Sequence, residues 1–461
     1  MSLLDEQIKM LDRAAALEFR GRVSQVRGMA MYVMDLPVPV GSMVRVMVGN
    51  AAGNVLTGAV VGFDREQTVV MPLGSIEGVR RGDHVVADQF TQTVGVAPAL
   101  LGRVIDGLGR PIDGKGSVVD TVPRPLEPDP IEPMGRPLID TPLATGVRTI
   151  DALTSIGRGQ RVGVFAAPGV GKSTLLAMMA RHTAADVSVI ALVGERGREV
   201  RDFIDNHLGP AGMSNSVVVV ATSDETALMR LRAAMVANTV AEYFRDAGKD
   251  VLFIMDSVTR VCHAQRQIGL AAGEPPATKG YPPSVFSMLP CLLERSGRTR
   301  TGSITGLYAV LIEGDDLADP IPEAVRGILD GHIQLSGDLA RRGHWPAIDV
   351  LGSISRVADD VTGPDQQAAR RQVMRLINAY QQVEELLHIG AYVAGANPEF
   401  DAAIACKPTI DQLLQQGRSE VQGKADFEKT KKQLMVVAGQ IHSLQEQLKK
   451  SVQRPARGPG S

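Results

Sequence analysis

Eight residues constrain this chain more than any others: Ala166-Ala167-Pro168-Gly169-Val170-Gly171-Lys172-Ser173, set between the strand-like run Arg161–Phe165 and the helix-like run Thr174–His182. A phosphate chain needs backbone N–H groups turned inward around it, and glycine permits both the tight turn and the close approach. Gly169 and Gly171 supply that freedom, and the helix that follows aims its positive dipole end at the anion. Pro168 to Thr174 therefore read as a phosphate cradle. Lys172 would reach the β and γ phosphates of ATP, and the Ser173 hydroxyl would sit on Mg²⁺. The strict pattern has glycine where this chain has Ala166, which a negative φ tolerates. Such a loop demands a mostly parallel sheet flanked by helices.

The rest of the chain supplies that sheet. From 151 to about 360, runs such as VSVIALVG, SVVVVATS, VLFIMDS and LYAVLIEG alternate with helical patterns. Continuous apolar strands of this kind are buried on both faces. Upstream, from 19 to 95, short β-rich runs alternate with Gly, Pro and Asp turns, which predicts a small closed barrel. The barrel shows no interleaving of basic and aromatic residues, so its role reads as structural. Residues 96–150 are rich in Pro and Gly and read as a loop-rich lead-in to an ATPase domain spanning 96–362. Residues 363–424 read as a helical domain. In a tail over 425–461, Phe427, Leu434, Val437, Ile441, Leu444 and Leu448 hold alternating a and d positions, with Thr430 the polar member. That tail is either a helical hairpin or short coiled coil, or a surface helix on its own domain, with a disordered end. Residues 1–18 form an amphipathic pattern that either packs on its own domain or docks a partner helix.

Composition narrows the class. The 461 residues carry 49 Lys+Arg against 51 Asp+Glu. The resulting net charge of -2 argues against a chain built to hold nucleic acid. No apolar run approaches the ~20 residues of a membrane helix, and no secretory signal is visible. The three cysteines, Cys262, Cys291 and Cys406, are far apart and fit a reducing cytoplasm.

Further candidates follow the strands. VLFIMDS ends in Asp256, a carboxylate at the strand edge where open α/β sheets bind ligands, and so a candidate for the Mg²⁺ shell. Glu195 follows another apolar strand and would orient and deprotonate water, with Arg196 reaching for the γ-phosphate; the plainer alternative pairs Glu195 with Arg196 or Arg198. Arg356, after the strand-like PAIDVLGSIS, is either a sheet-edge arginine or a charge lent to a neighbouring subunit's site. Trp345, the only tryptophan, is either core packing or an adenine platform. Asp315 and Asp316 read as a solvated turn.

Taken together, the phosphate loop, GERGREV, the Asp256 strand, KGYPPSVF and PAIDVLGSIS resemble the rotary ATP synthase catalytic-subunit superfamily. GRVIDGLGRPIDGKG, RPLIDTPLATGVRTIDAL and GAYVAGANPEFDAAI resemble its type III protein export ATPases, flagellar and injectisome, over about residues 19–418. The resemblance implies an N-terminal β-barrel, a RecA-like core and a C-terminal helical domain. It implies homohexamers at the cytoplasmic face of the inner membrane, beneath an export gate and around a central stalk. There they use ATP and Mg²⁺ to release and unfold chaperone-bound substrates, and a stator-like regulator binds the N-terminal arm. It further implies that Glu195 is the catalytic carboxylate, that Arg196 and Arg260 line the site, that Arg356 is an arginine finger and that Trp345 lies against adenine. The flagellar apparatus is the leading expectation and the injectisome the second. A Rho-like RNA translocase would need a nucleic-acid-binding barrel and a more basic balance. A non-catalytic nucleotide-binding scaffold would lack Glu195.

Overall fold

The computed structural model describes residues 18–49, 54–312, 319–418, 420–421 and 423–452. The N-terminal arm, Asp315 and Asp316, and the extreme C-terminus lie outside the described residues.

Six strands close a barrel: β1 (Phe19–Arg27), β2 (Ala30–Met34), β3 (Met43–Met47), β4 (Val55–Asp64), β5 (Gln67–Pro72) and β6 (His84–Gln89), in the order β1-β2-β5-β4-β3-β6. Every pairing is antiparallel. The period-2 pattern turns Val23, Val33, Val44, Val46 and Val85 inward into a core of its own.

The central sheet is built from β7 (Arg103–Asp106), β8 (Arg161–Ala166), β9 (Val187–Val193), β10 (Ser216–Ala221), β11 (Asp250–Asp256), β12 (Ser303–Leu311), β13 (Gly331–Leu335) and β14 (Ile348–Ser355). Their order is β14-β13-β8-β12-β11-β9-β10-β7. All these neighbours are parallel except β14, which runs antiparallel to β13. Alternate residues feed two cores. Phe253 and Met255 face helices α3 (Ala227–Asp246), α4 (Val258–Ala271) and α5 (Pro283–Leu293), while Leu252 and Ile254 face the opposite side. On that second side lie the phosphate-loop helix α1 (Lys172–His182) and the C-terminal helices α6 (Pro364–His388), α7 (Pro398–Leu414) and α8 (Phe427–Val452). The short helix α2 (Gly197–Asp202) lies just beyond β9.

Two expectations are refined. The segment read as a loop-rich lead-in carries β7, the edge strand of the sheet, paired with β10 from Arg103↔Val217 to Asp106↔Val220. Four residues between glycine turns are too few to show a period. The heptad face of α8 is not free for a partner coil: Leu434 and Ile441 are fully buried, with Val437 beside them, in the core that α6 and α7 share. The helix thus sits on its own domain, together with 363–424 rather than apart from it.

Candidate functional site

The parallel strands end at one edge of the sheet, and the phosphate loop leaves β8 there. Gly169 and Gly171 take φ of +80° and +87°, the left-handed region that glycine alone enters without strain. Val170 is buried in the core and pins the loop from beneath, while Pro168 and Gly169 are exposed. Helix α1 begins at Lys172 with Gly171 as its N-cap, and no side chain caps it. Its first N–H groups are therefore left to an outside acceptor, which is what a phosphate supplies. Ser173 and Thr174 lie in that first turn, Ser173 exposed.

Lys172 extends between two carboxylates. Its Nζ is paired with Asp256 and lies 3.8 Å from Glu195 Oε1. The register explains the meeting: Asp256, the last residue of β11, stands opposite Leu192 of β9, and Glu195 follows three residues on. Arg260, in the first turn of α4, brings its guanidinium to 3.4 Å from Glu195 Oε2 and packs its methylenes against Gly194. Ser173, Glu195, Glu199 and Asp256 share the wall of one cavity of about 100 Å³.

Glu195 is only 9% exposed. Burial pushes its carboxyl up to about 7, and the hydrogen bond with Glu199 and the charge of Asp256 add to this, against Lys172 and Arg260. The same contact holds Glu199 below the ordinary range. The pair thus keeps its proton on Glu195. Such a group is poised to exchange a proton near neutral pH. Glu199 is the participant that sequence reasoning missed. Its signal was the four-residue spacing in GERGREV, which places both carboxylates on one side of a turn.

Three other candidates stand outside this cluster of charges. Arg196 is turned to solvent, 80% exposed, with Glu199 3.6 Å away. Trp345 is partly exposed and outside the core; a Cβ on Gly171 would come within 2.8 Å of its ring, so the indole lies against the phosphate loop. Arg356 is exposed at the opposite edge of the sheet. The antiparallel β14 puts Ser355 beside Gly331, at the start of β13. The Arg356 N–H donates to the Asp330 carbonyl at 3.0 Å, and the Asp330 side chain holds Arg161 at the start of β8. The length of β8 alone, about 17 Å at 3.3 Å per residue, separates Arg356 from its own phosphate loop.

The donor set suits a nucleotide with a divalent ion. Among the described residues no cluster of three or more His, Cys, Asp or Glu could hold a metal alone. A hydroxyl and one carboxylate beside a phosphate cradle is the sparse set that Mg²⁺ accepts when phosphates and water complete its shell. Among the described residues no helix is long and apolar enough to cross a membrane.

A barrel followed by a phosphate-loop sheet and a helical domain is an arrangement that comparison with known proteins places. The chain belongs to the ATP synthase alpha/beta family: the nucleotide-binding domain matches over residues 146–355 and the β-barrel domain over 23–87. Residues 362–436 match the T3SS EscN ATPase C-terminal domain, which narrows the kinship to the ATPases of type III secretion. The chain is 48% identical to the flagellum-specific ATP synthase of Bacillus subtilis, over 87% of this chain and 91% of that protein. It is 47% identical to the type 3 secretion system ATPase of Xanthomonas euvesicatoria, over 86% and 89%. The assembled ATPase EscN of enteropathogenic E. coli superimposes with a TM-score of 0.85 at 41% identity, over 91% of this chain and 100% of that one. EscN has also been solved in complex with its central stalk EscO.

Proposed function

We propose that this chain is the ATP-hydrolysing motor of a type III protein export apparatus, the flagellar one in our reading, working as a homohexamer. The observation that carries the enzymatic part is the meeting of an uncapped phosphate-loop helix with a buried carboxylate that titrates near neutrality. The loop N–H groups from Gly169 to Thr174 and the Lys172 ammonium bind and orient the triphosphate of ATP. Ser173 and Asp256 would hold Mg²⁺, which would withdraw charge from the phosphates. Glu195 holds the attacking water and receives its proton at Oε, while Arg260 fixes that carboxylate in place. Trp345 offers its indole to the adenine. Arg196, turned to solvent without nucleotide, reaches toward the γ-phosphate. Arg356 serves the site of the neighbouring subunit, a role worth roughly 10³–10⁵ in rate where such a residue is used.

The solved assembly of EscN and its complex with a central stalk support a ring around a stalk for this chain too. By the same kinship, we assign it to the cytoplasmic face of the inner membrane beneath an export gate. It receives chaperone–substrate complexes there and binds a stator-like regulator through residues 1–18.

Two experiments test this. Lys172→Ala is expected to abolish phosphate release; near-normal turnover would remove the phosphate-loop assignment. A pull-down with the full chain against one lacking residues 1–18, each with a nuclease-treated control, is expected to lose export components with the arm. Partners of a needle complex would move the assignment to an injectisome, and RNA as the main co-purifying species would end the export reading.

A further inference from the structure

On the side of the sheet away from the phosphate-loop helix, a cavity of about 810 Å³ opens between the Pro-rich segment 124–136 and helices α3 and α5. Pockets that enclose small organic molecules have this size. Its apolar wall includes Leu231, Met235, Met288 and Leu292. The Pro-rich wall is clamped to the helices behind it. Arg295 donates to the Leu126 carbonyl at 2.8 Å and Thr239 Oγ1 to that of Pro125 at 3.3 Å. Arg136 donates to the carbonyls of Glu294 at 2.6 Å and Ser296 at 3.0 Å. Walls already ordered in this way lose little conformational freedom on binding.

Two groups on the wall carry chemistry that the fold does not use. Arg245, in the last turn of α3, is 7% exposed. Its Nε and Nη2 donate to Asp246 Oδ1 at 3.0 Å and 2.8 Å, while its Nη1 has no partner. A buried donor without an acceptor is costly, and a guanidinium is best answered by an anion. The carboxylates around it are engaged. Glu242 accepts from Arg295 at 2.8 Å and 2.6 Å, and Glu294 lies 3.9 Å from Arg136 and pairs with Arg161. Glu127 and Asp129 are exposed on the outer segment. Cys291, in α5, is the exposed one of the three cysteines and stands on the same wall.

We infer that this cavity binds a small amphiphilic anion, with its carboxylate or sulfonate on the Arg245 guanidinium and its apolar body among Leu231, Met235 and Met288. The site lies across the sheet from the phosphate loop and shares no residue with it. Cys291 reports its occupancy, because a molecule seated against that wall shields the thiol from reagents in solution.

The test uses the full-length protein, with anilinonaphthalene sulfonate as the anion and phenylnaphthylamine as the same apolar body without the charge. Alkylation of Cys291 by N-ethylmaleimide is followed by peptide mass spectrometry at one protein concentration. At about ten times its dissociation constant the sulfonate is expected to slow alkylation about ten-fold, by mass action. The neutral body should need about ten-fold or more concentration for equal shielding, since it lacks the charged acceptor. Arg245→Met should erase the difference between the two, and Met235→Trp, which fills the cavity, should abolish shielding by both. Unchanged binding of a fluorescent ATP analogue shows that each variant is folded. The comparison of the two probes on wild type needs no variant, so it decides the matter even where Arg245→Met fails to fold. Cys291 alkylation that the sulfonate leaves unslowed overturns the site, as does shielding that survives in folded Met235→Trp. Equal shielding by the two probes overturns the assignment of an anion. Decanoate and naphthoate then replace the dye. Shielding by the first marks a chain-like ligand and by the second a ring-like one, each in support of the site, and shielding by neither overturns it.

Discussion

The proton on Glu195 gives the sharpest handle on the chemistry. A base must be ionised to accept a proton, and burial together with Glu199 and Asp256 raises this carboxyl to about 7. The ionised fraction is then about a tenth at pH 6 and about nine-tenths at pH 8. The ratio kcat/KM reports groups of the free enzyme, so for MgATP it should rise about ten-fold over that span and level off above it. ATP itself titrates within this range, so the decisive perturbation is Glu199→Gln. That change removes the neighbour that favours the protonated form, and the midpoint moves to lower pH whatever happens to the plateau. The assay is steady-state phosphate release across pH at constant ionic strength, on wild type and Glu199→Gln. A flat wild-type profile, or a midpoint that Glu199→Gln leaves in place, would falsify the assignment of Glu195 as the base in a shared-proton pair.

Arg356→Ala should bind nucleotide normally yet lose roughly 10²-fold or more in turnover. When it is mixed in equal amounts with Lys172→Ala, about one interface in four of a head-to-tail ring joins an intact loop to an intact arginine. Mixed rings with no recovered activity would sink the shared site. Asp151 is fully buried and accepts from Thr145 N–H at 2.9 Å, Thr145 Oγ1 at 2.7 Å and Gly146 N–H at 3.2 Å; Asp151→Ala should cost about 2–4 kcal/mol in urea denaturation. Burial pushes that carboxyl up to about 7 from an unfolded value of about 3.9. The unfolded chain therefore releases this proton first, stability falls as pH rises from about 4 to 7, and Asp151→Asn should flatten that slope.

Much of this was legible in the sequence for definable reasons. Strands buried on both faces have few polar positions, so β9, β10 and β11 announce themselves as apolar runs, interrupted only by Ser188 and bounded by Ser216, Asp250 and Asp256. The phosphate loop is legible because only glycine meets its backbone demand. What stayed hidden depends on pairing. β7 is four residues long and is a strand only because β10 offers it an edge. Glu199 acquires meaning only when a turn folds it onto Glu195. The distance of Arg356 from its own loop follows from β14 running antiparallel, a direction that no residue within PAIDVLGSIS encodes. The α8 heptads could not say which apolar surface they cover, because a partner coil and the chain's own core ask for the same side chains.

Strand β14 has an indole just before it and a guanidinium just after it, at opposite edges of the sheet. In a closed ring of the kind proposed above, one subunit would touch two different nucleotides, one with each end of this strand. Its two ends are paired with β13, at Ile348–Asp349 and at Ile354–Ser355, while Val350–Ser353 bulge out between them. A tilt at the Trp345 end can therefore be taken up in the bulge before it reaches Arg356.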